Sequence, residues 1–420
     1  MDRDPPRAQR VEPVAVPSAA ARKMSMDEPG AAVTLHLRSG KDHPVRLGHP
    51  WIFSGAIRDL SPALTPGAVV RVRAADGSAL GVGYANPSCT IAVRMLSRRD
   101  EPIDARFVAR RVGHAIALRA RMVAPDTDAY RLINGEGDGL PGLVVDRYAD
   151  VLVLQALTAG IERLKPLIVQ ALVEQLSPRV IIERSEGAVR GAEGLPPASG
   201  ALIGEPVHEQ LVRENGLVFT VVPGGAQKTG HFCDQRVNRA RVRGLAAGRR
   251  VLDAFAYSGG FAVHAGAGGA AHVVAVDSAA GALAAAERNW SLNGLPAAHV
   301  RFADADVGRF LRDTEERFDL LIVDPPALAK QRKDLPRGVR AYKDVNLWAL
   351  RRALPGALLL TFSCSQHVDA VLFRKIIAGA AADAGRSLAV LETLGPGPDH
   401  PVALAHPEGE YLHGILARVD

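Results

Sequence analysis

Val251-Leu252-Asp253-Ala254-Phe255-Ala256-Tyr257-Ser258-Gly259-Gly260 decides how this chain of 420 residues is to be read. A short apolar run meets an acid, then a turn, and the turn opens onto the helical pattern beginning Phe261-Ala262-Val263. That is a strand running into a tight turn and a helix. Glycine has no Cβ, so Gly259 and Gly260 would let the backbone pass close to a ligand. Downstream, AHVVAVDS, RFADAD, RFDLLIVDPP and PGALLLTFSCS are further apolar runs with helical patterns between them. Alternation of this kind from about Leu217 predicts an α/β fold, a Rossmann-like, mostly parallel sheet occupying 216–420. Ligands of such sheets sit at the carboxyl ends of the strands.

The second strand ends at Asp277, eighteen residues after Gly259. A carboxylate there accepts hydrogen bonds from two ribose hydroxyls. A dinucleotide site would share that acid, but it also needs G-x-G-x-x-G at the helix start, where a pyrophosphate meets free N–H groups. Ser258-Gly259-Gly260-Phe261-Ala262-Val263 lacks that spacing, and Gly266-Ala267-Gly268-Gly269 falls after the helix, where it reads as a cap. Asp253 suits a cationic, amine-bearing ligand. The expected cofactor is S-adenosylmethionine, held by Asp253, Phe255, Tyr257, Ser258, Gly259, Asp277 and Asp324. Asp304, after the third strand, falls where an adenine amine would be met; Asp306 competes for the role, and either reads equally as a solvated turn acid. Upstream, Gln227 to Arg236 is polar and Gly-bounded, placed to close over the cofactor with Gln227 and with Phe232 covering a flat ring. Cys233 reads as incidental there and His231 as structural.

The fourth strand ends Asp324-Pro325-Pro326. Two prolines fix φ and remove two donors, so the corner is rigid and aims its carboxylate and carbonyls outward. In methyltransferases of this sheet architecture such a corner grips a planar nitrogen base or an amide; otherwise it is a plain strand terminator. The fifth strand ends Phe362-Ser363-Cys364-Ser365 on the same edge. A thiolate at Cys364 could add to carbon 6 of a pyrimidine and make carbon 5 nucleophilic. Between them, 331–343 carries five Lys or Arg and one Asp. Arg332, Lys333, Arg340, Tyr342 and Lys343 are expected on a mobile loop facing phosphates, or simply solvated.

The rest of the chain sets the context. Residues 33–100 alternate short apolar runs with Gly and Pro, which predicts a small β-barrel of five or six strands with a type I′ turn at Asp76-Gly77. Residues 105–215 read as an α+β unit. It has a helix over 105–122, a strand pair turning at Tyr148-Ala149-Asp150, a helix near 161–176 and the strand VIIERSE. A loop over Gly187–Gly204 and the strand GLVFTVVPGG complete it. The first 32 residues lack an apolar leader and read as a disordered tail. Three well-separated cysteines argue against disulfides and a cysteine-based metal site, and favour the cytoplasm. No run approaches the roughly 18 apolar residues of a membrane span. A net charge of +6 fits a nucleic-acid partner or an Arg-rich proteome about equally.

The blocks LRSGKDHPVRLGHPWIFSGAI, NGEGDGLPGLVVDRY, QKTGHFCDQR, LDAFAYSGGF, IVDPP, Arg340-Ala341-Tyr342-Lys343-Asp344, TFSCS and DHPVALAHPEGEYLHG occur in one order. Over about 33–420 they resemble the bacterial ribosomal RNA large-subunit methyltransferases of the RlmI type, cytosine carbon-5 enzymes with an N-terminal PUA domain. The resemblance implies an RNA-binding PUA-like barrel, ribosomal RNA as partner and Cys364 as nucleophile. Many RNA cytosine methyltransferases carry a second Cys after the fourth-strand Pro; this chain has Ala327, so no cysteine is assigned as the base. Asp324 either holds the base edge or takes part in proton transfer. Methylation of a base nitrogen by the Asp-Pro-Pro corner and a non-catalytic RNA-binding assembly factor are the rival readings. Oligomeric state is left open, a homodimer included.

Overall fold

The computed structural model describes residues 33–225 and 230–420; the tail expected over 1–32 and Gln227 lie outside them. The N-terminal alternating runs form β1 (Thr34–His36), a short α1 (His43–Leu47), β2 (Trp51–Phe53), β3 (Ala68–Arg73), β4 (Ala79–Ala85) and β5 (Ile91–Ser97), ordered β1-β3-β4-β5-β2. A bridge between Leu37 and Ile57 joins the two edges and closes the sheet into a small barrel around Leu37, Ile52, Val70 and Val93. Its tight turn is not the type I′ expected. Only Gly77 is left-handed (φ 84°), its N–H donates to the Ala74 carbonyl at 3.0 Å, and the Asp76 carboxylate accepts from Ser78 N at 2.9 Å. That is a type I turn with a glycine bulge.

α2 (Ala105–Met122) leads into a second sheet of β6 (Ala129–Asn134), β7 (Leu143–Tyr148), β8 (Val151–Ala156), β9 (Val180–Ser185) and β10 (Ala198–Ile203), with α3 (Ala159–Leu176) crossing from β8 to the parallel β9. The Gly187–Gly204 run is a correction to the sequence reading: it holds α4 (Ala188–Ala192) and β10 rather than a loop. β10 is an edge strand, antiparallel to β9 and largely exposed, so it carries no apolar face to announce it.

The barrel is fastened to this unit through Tyr84, which is buried in the same core as Leu143, Ile161 and Leu164. Its hydroxyl donates to the Pro141 carbonyl at 2.6 Å and lies 2.8 Å from Thr158 Oγ1. The ring rests on Gly160, where an added Cβ would stand 2.0 Å from Cγ of the ring. Gly160→Ala therefore forces the joint apart, and we expect a loss of about 1–3 kcal/mol by thermal or urea unfolding. A change under about 0.5 kcal/mol would mean that the ring yields without cost.

A hairpin, β11 (Gln210–Glu214) and β12 (Leu217–Val221), and α5 (Arg236–Leu245) precede the large sheet. That sheet is built from β13 (Arg250–Ala254), α6 (Gly260–Ala267), β14 (His272–Asp277), α7 (Ala280–Leu292), β15 (Val300–Asp304), α8 (Val307–Asp313), β16 (Phe318–Val323), α9 (Leu335–Arg352), β17 (Ala353–Ser363), α10 (Ala370–Ala384), β18 (Leu388–Leu394) and β19 (His413–Val419). The strand order is β15-β14-β13-β16-β17-β19-β18, parallel except for β19. Both faces are covered, which is why the strands read as unbroken apolar runs. Val251, Val273, Leu320 and Leu360 pack toward α6 and Trp290, while Leu252, Val274, Leu321 and Leu359 pack toward α8, α9 and α10. Among the described residues, no helix is long and apolar enough to cross a membrane.

The segment expected as a mobile basic loop is instead a 3-10 turn, Arg332–Asp334, leading into α9. Gln331 and Asp334 cap its start reciprocally. Pro336 falls in the first helical turn, where a missing N–H costs nothing. Gly338, Tyr342, Val345, Asn346 and Ala349 then form a buried stripe at helical spacing.

Candidate active site

A cavity of about 780 Å³ opens at the carboxyl ends of β13, β14, β16 and β17. It is within the size range of a cofactor-sized ligand site. β13 leaves the sheet through a turn in which Phe255 (φ 68°) and Tyr257 (φ 49°) are both left-handed. Non-glycine residues adopt that conformation at a cost of about 1 kcal/mol or more each, and such outliers gather at functional sites. The end of β14 holds the strained turn. Phe255 N and Ala256 N both donate to the Val276 carbonyl at 3.0 Å, and Tyr257 N donates to Asp277 Oδ2 at 2.9 Å. Asp277 Oδ1 accepts from Ala279 N at 2.9 Å. The carboxylate is thus fixed in direction, with lone pairs remaining for two hydroxyls. Phe255, Tyr257, Ser258 and Asp277 all line the cavity, and Phe232 stands edge-on to Tyr257 at 5.2 Å.

Three expected cofactor residues sit elsewhere. Gly259 (φ 75°) does not line the cavity; an added Cβ would lie 2.8 Å from Ala286 Cβ on α7. Gly260 does line the cavity, and a Cβ added there would lie 2.8 Å from Arg239 Cδ, so only Gly259 serves packing within the protein alone. Asp304 is in register with Asp277 but exposed, in a separate shallow hollow with Arg301 and Arg309. Asp306 caps α8 by accepting from Arg309 N at 2.8 Å.

Asp253 is the third. It is fully buried behind the cavity wall, where Oδ2 accepts from Ala262 N at 2.9 Å and Oδ1 has no hydrogen-bond partner among the described residues. It braces the start of α6 and is not among the residues lining the cavity. Burial pushes its carboxyl up to about 7, and the nearby Asp324 and Asp277 add to the effect. The folded protein keeps a proton there that the unfolded chain, with its ordinary value of 3.8, has released. Stability contributed at this position therefore falls as pH rises between roughly 4 and 7, by up to about 4 kcal/mol. Asp253→Asn should melt several degrees above the parent protein at pH 8, the two curves converging toward pH 4. Identical pH dependence of the two melting temperatures would refute the raised carboxyl.

On the next two strands the expected neighbours meet. Asp324, Pro325, Pro326 and Cys364 line the same cavity, and Cys364 Sγ, half-buried, lies 3.8 Å from the Pro325 carbonyl oxygen. Tyr342 does not face this space or solvent. It is buried, with its hydroxyl 2.9 Å from Ser365 Oγ, and Ser365 Oγ also accepts from Ala329 N at 3.0 Å. It ties the residue after Cys364 to the loop after Pro326. Lys343 pairs with Asp383 at 2.7 Å, while Arg332, Lys333 and Arg340 are exposed.

Asp234 and Gln235 lie on the wall, within the 227–236 segment expected to close over the cofactor, though neither was singled out. Arg131, Arg239, Tyr411 and Leu412 escaped the sequence reading; they come from distant parts of the chain, so no local spacing marks them. Gln235 is buried and its Nε2 has no hydrogen-bond partner among the described residues, a donor available to a ligand. Glu214, buried, receives two hydrogen bonds from Arg239 and lies 3.0 Å from His231 Nε2. Burial alone would raise its carboxyl, but Arg239 and His231 hold it well below the usual range. His231 is thereby a structural member of an ion cluster.

A family model described as S-adenosylmethionine-dependent methyltransferase matches residues 139–405, and one described as a PUA-like domain matches 35–98. The chain belongs to the S-adenosylmethionine-dependent methyltransferase family. Ribosomal RNA large subunit methyltransferase I of Shewanella amazonensis is 40% identical over 394 residues, covering 92% of this chain and all of the relative. The enzyme of that name from Klebsiella pneumoniae is also 40% identical, covering 92% of this chain and 98% of the relative. Among solved structures, a protein described as a SAM-dependent methyltransferase from Streptococcus mutans is similar, with a TM-score of 0.78, 22% identity, and coverage of 92% of this chain and all of that one. Another, described as a methyltransferase complexed with SAH, has a TM-score of 0.79 at 22% identity over the same shares. The methyltransferase cofactor, S-adenosylmethionine, fits the observed groups: the fixed Asp277 carboxylate as acceptor for hydroxyls, the Gln235 amide as donor, and the rings of Phe232 and Tyr257.

Proposed function

We propose that this methyltransferase modifies carbon 5 of a cytosine in large-subunit ribosomal RNA through a covalent bond from Cys364 to carbon 6. The observation that carries this reading is the placement of Cys364 Sγ beside the Asp324-Pro325 corner on the wall of the cofactor cavity. Bound S-adenosylmethionine supplies an electrophilic methyl group. Asp324 accepts from the exocyclic amine of the base, and the rigid prolines hold the ring in one plane. Cys364, as thiolate, adds to carbon 6 and moves electron density onto carbon 5. Ribosomal RNA as the substrate is supported by the names of the relatives, and RNA contact by the PUA-like match over 35–98. The exposed Arg332, Lys333 and Arg340 suit phosphates.

Methylated ribosomal RNA, digested and analysed by nucleoside mass spectrometry, should yield 5-methylcytidine. An N-methylated nucleoside instead would leave Cys364 a spectator and transfer the chemistry to the Asp-Pro-Pro corner alone.

A further inference from the structure

The carbon-5 reading leaves one proton without a destination. When carbon 5 receives the methyl group, its own hydrogen is displaced to the face away from the donor. An acceptor must therefore stand on the far side of the base from the cofactor. The strand order gives each position along the sheet edge: Asp277 on β14, Asp324 after β16, Cys364 after β17, then β19. Neighbouring strands are about 4.8 Å apart, so the residues before β19 stand on the side of Cys364 remote from Asp277. Ser363 pairs with His413, which brings Leu412 and Tyr411 alongside Cys364. Tyr411 lines the cavity, and its hydroxyl donates to Asp234 Oδ2 at 2.7 Å. Asp234 is buried and lines the same cavity.

We propose that Tyr411 takes the carbon-5 proton and passes its own to Asp234. This assignment rests on the cytosine carbon-5 reading above. The other titratable groups on the wall are engaged elsewhere: Asp324 by the exocyclic amine under that reading, Asp277 by two backbone amides on the cofactor side with Tyr257 beside it, and His231 and Arg239 by Glu214. Arg131, also on the wall, is held by Asn134 Oδ1 at 3.0 Å and by Asp146. Burial raises the Tyr411 hydroxyl well above its ordinary range, with Asp234 adding to it, so the phenol stays protonated until the relay operates.

The step balances without a further reagent. The carbon-5 proton goes to Tyr411 Oη as the phenolic proton moves to Asp234 Oδ2. The C–H electron pair re-forms the double bond between carbons 5 and 6. The bond from carbon 6 to sulfur breaks, its pair returning to Cys364 as thiolate. Asp234 later loses its proton to water.

The test uses the whole protein, a ribosomal RNA fragment and methyl-labelled S-adenosylmethionine. Tyr411→Phe and Asp234→Asn should still transfer label in a first turnover, but the labelled RNA should remain attached to protein under denaturing conditions. Release of free product should fall about 100-fold or more. Release at the parent rate with no adduct overturns the relay. So does a Tyr411→Phe protein that binds S-adenosylhomocysteine normally yet forms neither adduct nor product. If Asp234→Asn does not fold, Tyr411→Phe, which keeps the ring, decides alone. Trapping of the parent protein on 5-fluorocytidine RNA separates the two levels. No trapping sinks the carbon-5 reading, whereas trapping with freely releasing variants sinks the relay only.

Discussion

Cys364→Ala is expected to remove methylation of ribosomal RNA to at least about 10⁴-fold below the parent rate, a barrier increase of roughly 5 kcal/mol or more. Carbon 5 of cytosine is a poor nucleophile until carbon 6 has been attacked, so positioning the base against the cofactor without a thiolate leaves little to react. The same variant should lose all covalent trapping on 5-fluorocytidine RNA. Affinity for S-adenosylhomocysteine, measured by calorimetry, should stay within about threefold, because the cofactor wall lies on β13 and β14 while Cys364 follows β17. Cys364→Ser is a stricter test, since it preserves shape and polarity. Its hydroxyl is far less ionised than a thiol at neutral pH, and it should be nearly as inactive. Retention of more than a tenth of the parent rate in either variant would rule out the adduct.

Asp277→Ala should weaken cofactor binding by about 100- to 1,000-fold. Two charge-assisted hydrogen bonds to hydroxyls contribute on the order of 1.5–3 kcal/mol each, less what the variant recovers from water. A second effect compounds the first. The Asp277 carboxylate also accepts from Tyr257 N and Ala279 N, so its removal frees the left-handed turn at Tyr257. Asp277→Asn separates the two contributions. Its side-chain oxygen can still accept from one of the amides, and it should lose about tenfold less than Ala. Calorimetric titration with S-adenosylhomocysteine reads both. Binding within threefold of the parent for Asp277→Ala would remove this residue from the cofactor site.

The large sheet was legible because its strands are buried on both faces and because Asp277, Asp324 and Cys364 each stand at a strand end. Burial on both faces writes itself as VVAVD and LLIVD, and parallel order places the following residues on one edge. Where local chemistry carries two meanings, reading from sequence failed. Gly259 fits a ligand cradle and a close helix contact equally well, and the contact is what is found, whereas Gly260 lines the cavity. Arg, Gly and Pro over 331–343 resemble a loop, yet Pro336 in a first turn and Gly338 against Ala329 are compatible with α9. Tyr342 follows from that: once the segment is helical, it falls on the buried stripe. Asp253 looked like a ligand because its burial cannot be judged from its neighbours in the chain. Arg131 and Tyr411 were out of reach for another reason. They converge from separate regions on the 227–236 segment that holds Asp234, so only the folded sheet edge assembles them.

The joint at Tyr84 and Gly160 has a bearing on substrate choice. A ring seated on a bare backbone, its hydroxyl bonded at Pro141 and Thr158, pins the barrel to the unit behind it at this point. Under the proposed reading the barrel and the cavity then act as a caliper of fixed span. An RNA must offer its grip for the barrel and its target cytosine at one separation in space, whatever the number of nucleotides between them. Selectivity among many equivalent cytosines would come from folded RNA geometry, set by a gap that the enzyme cannot adjust. Fragments shortened stepwise should keep normal KM until the far contact is lost and then rise abruptly; a gradual rise would indicate a barrel that follows the RNA.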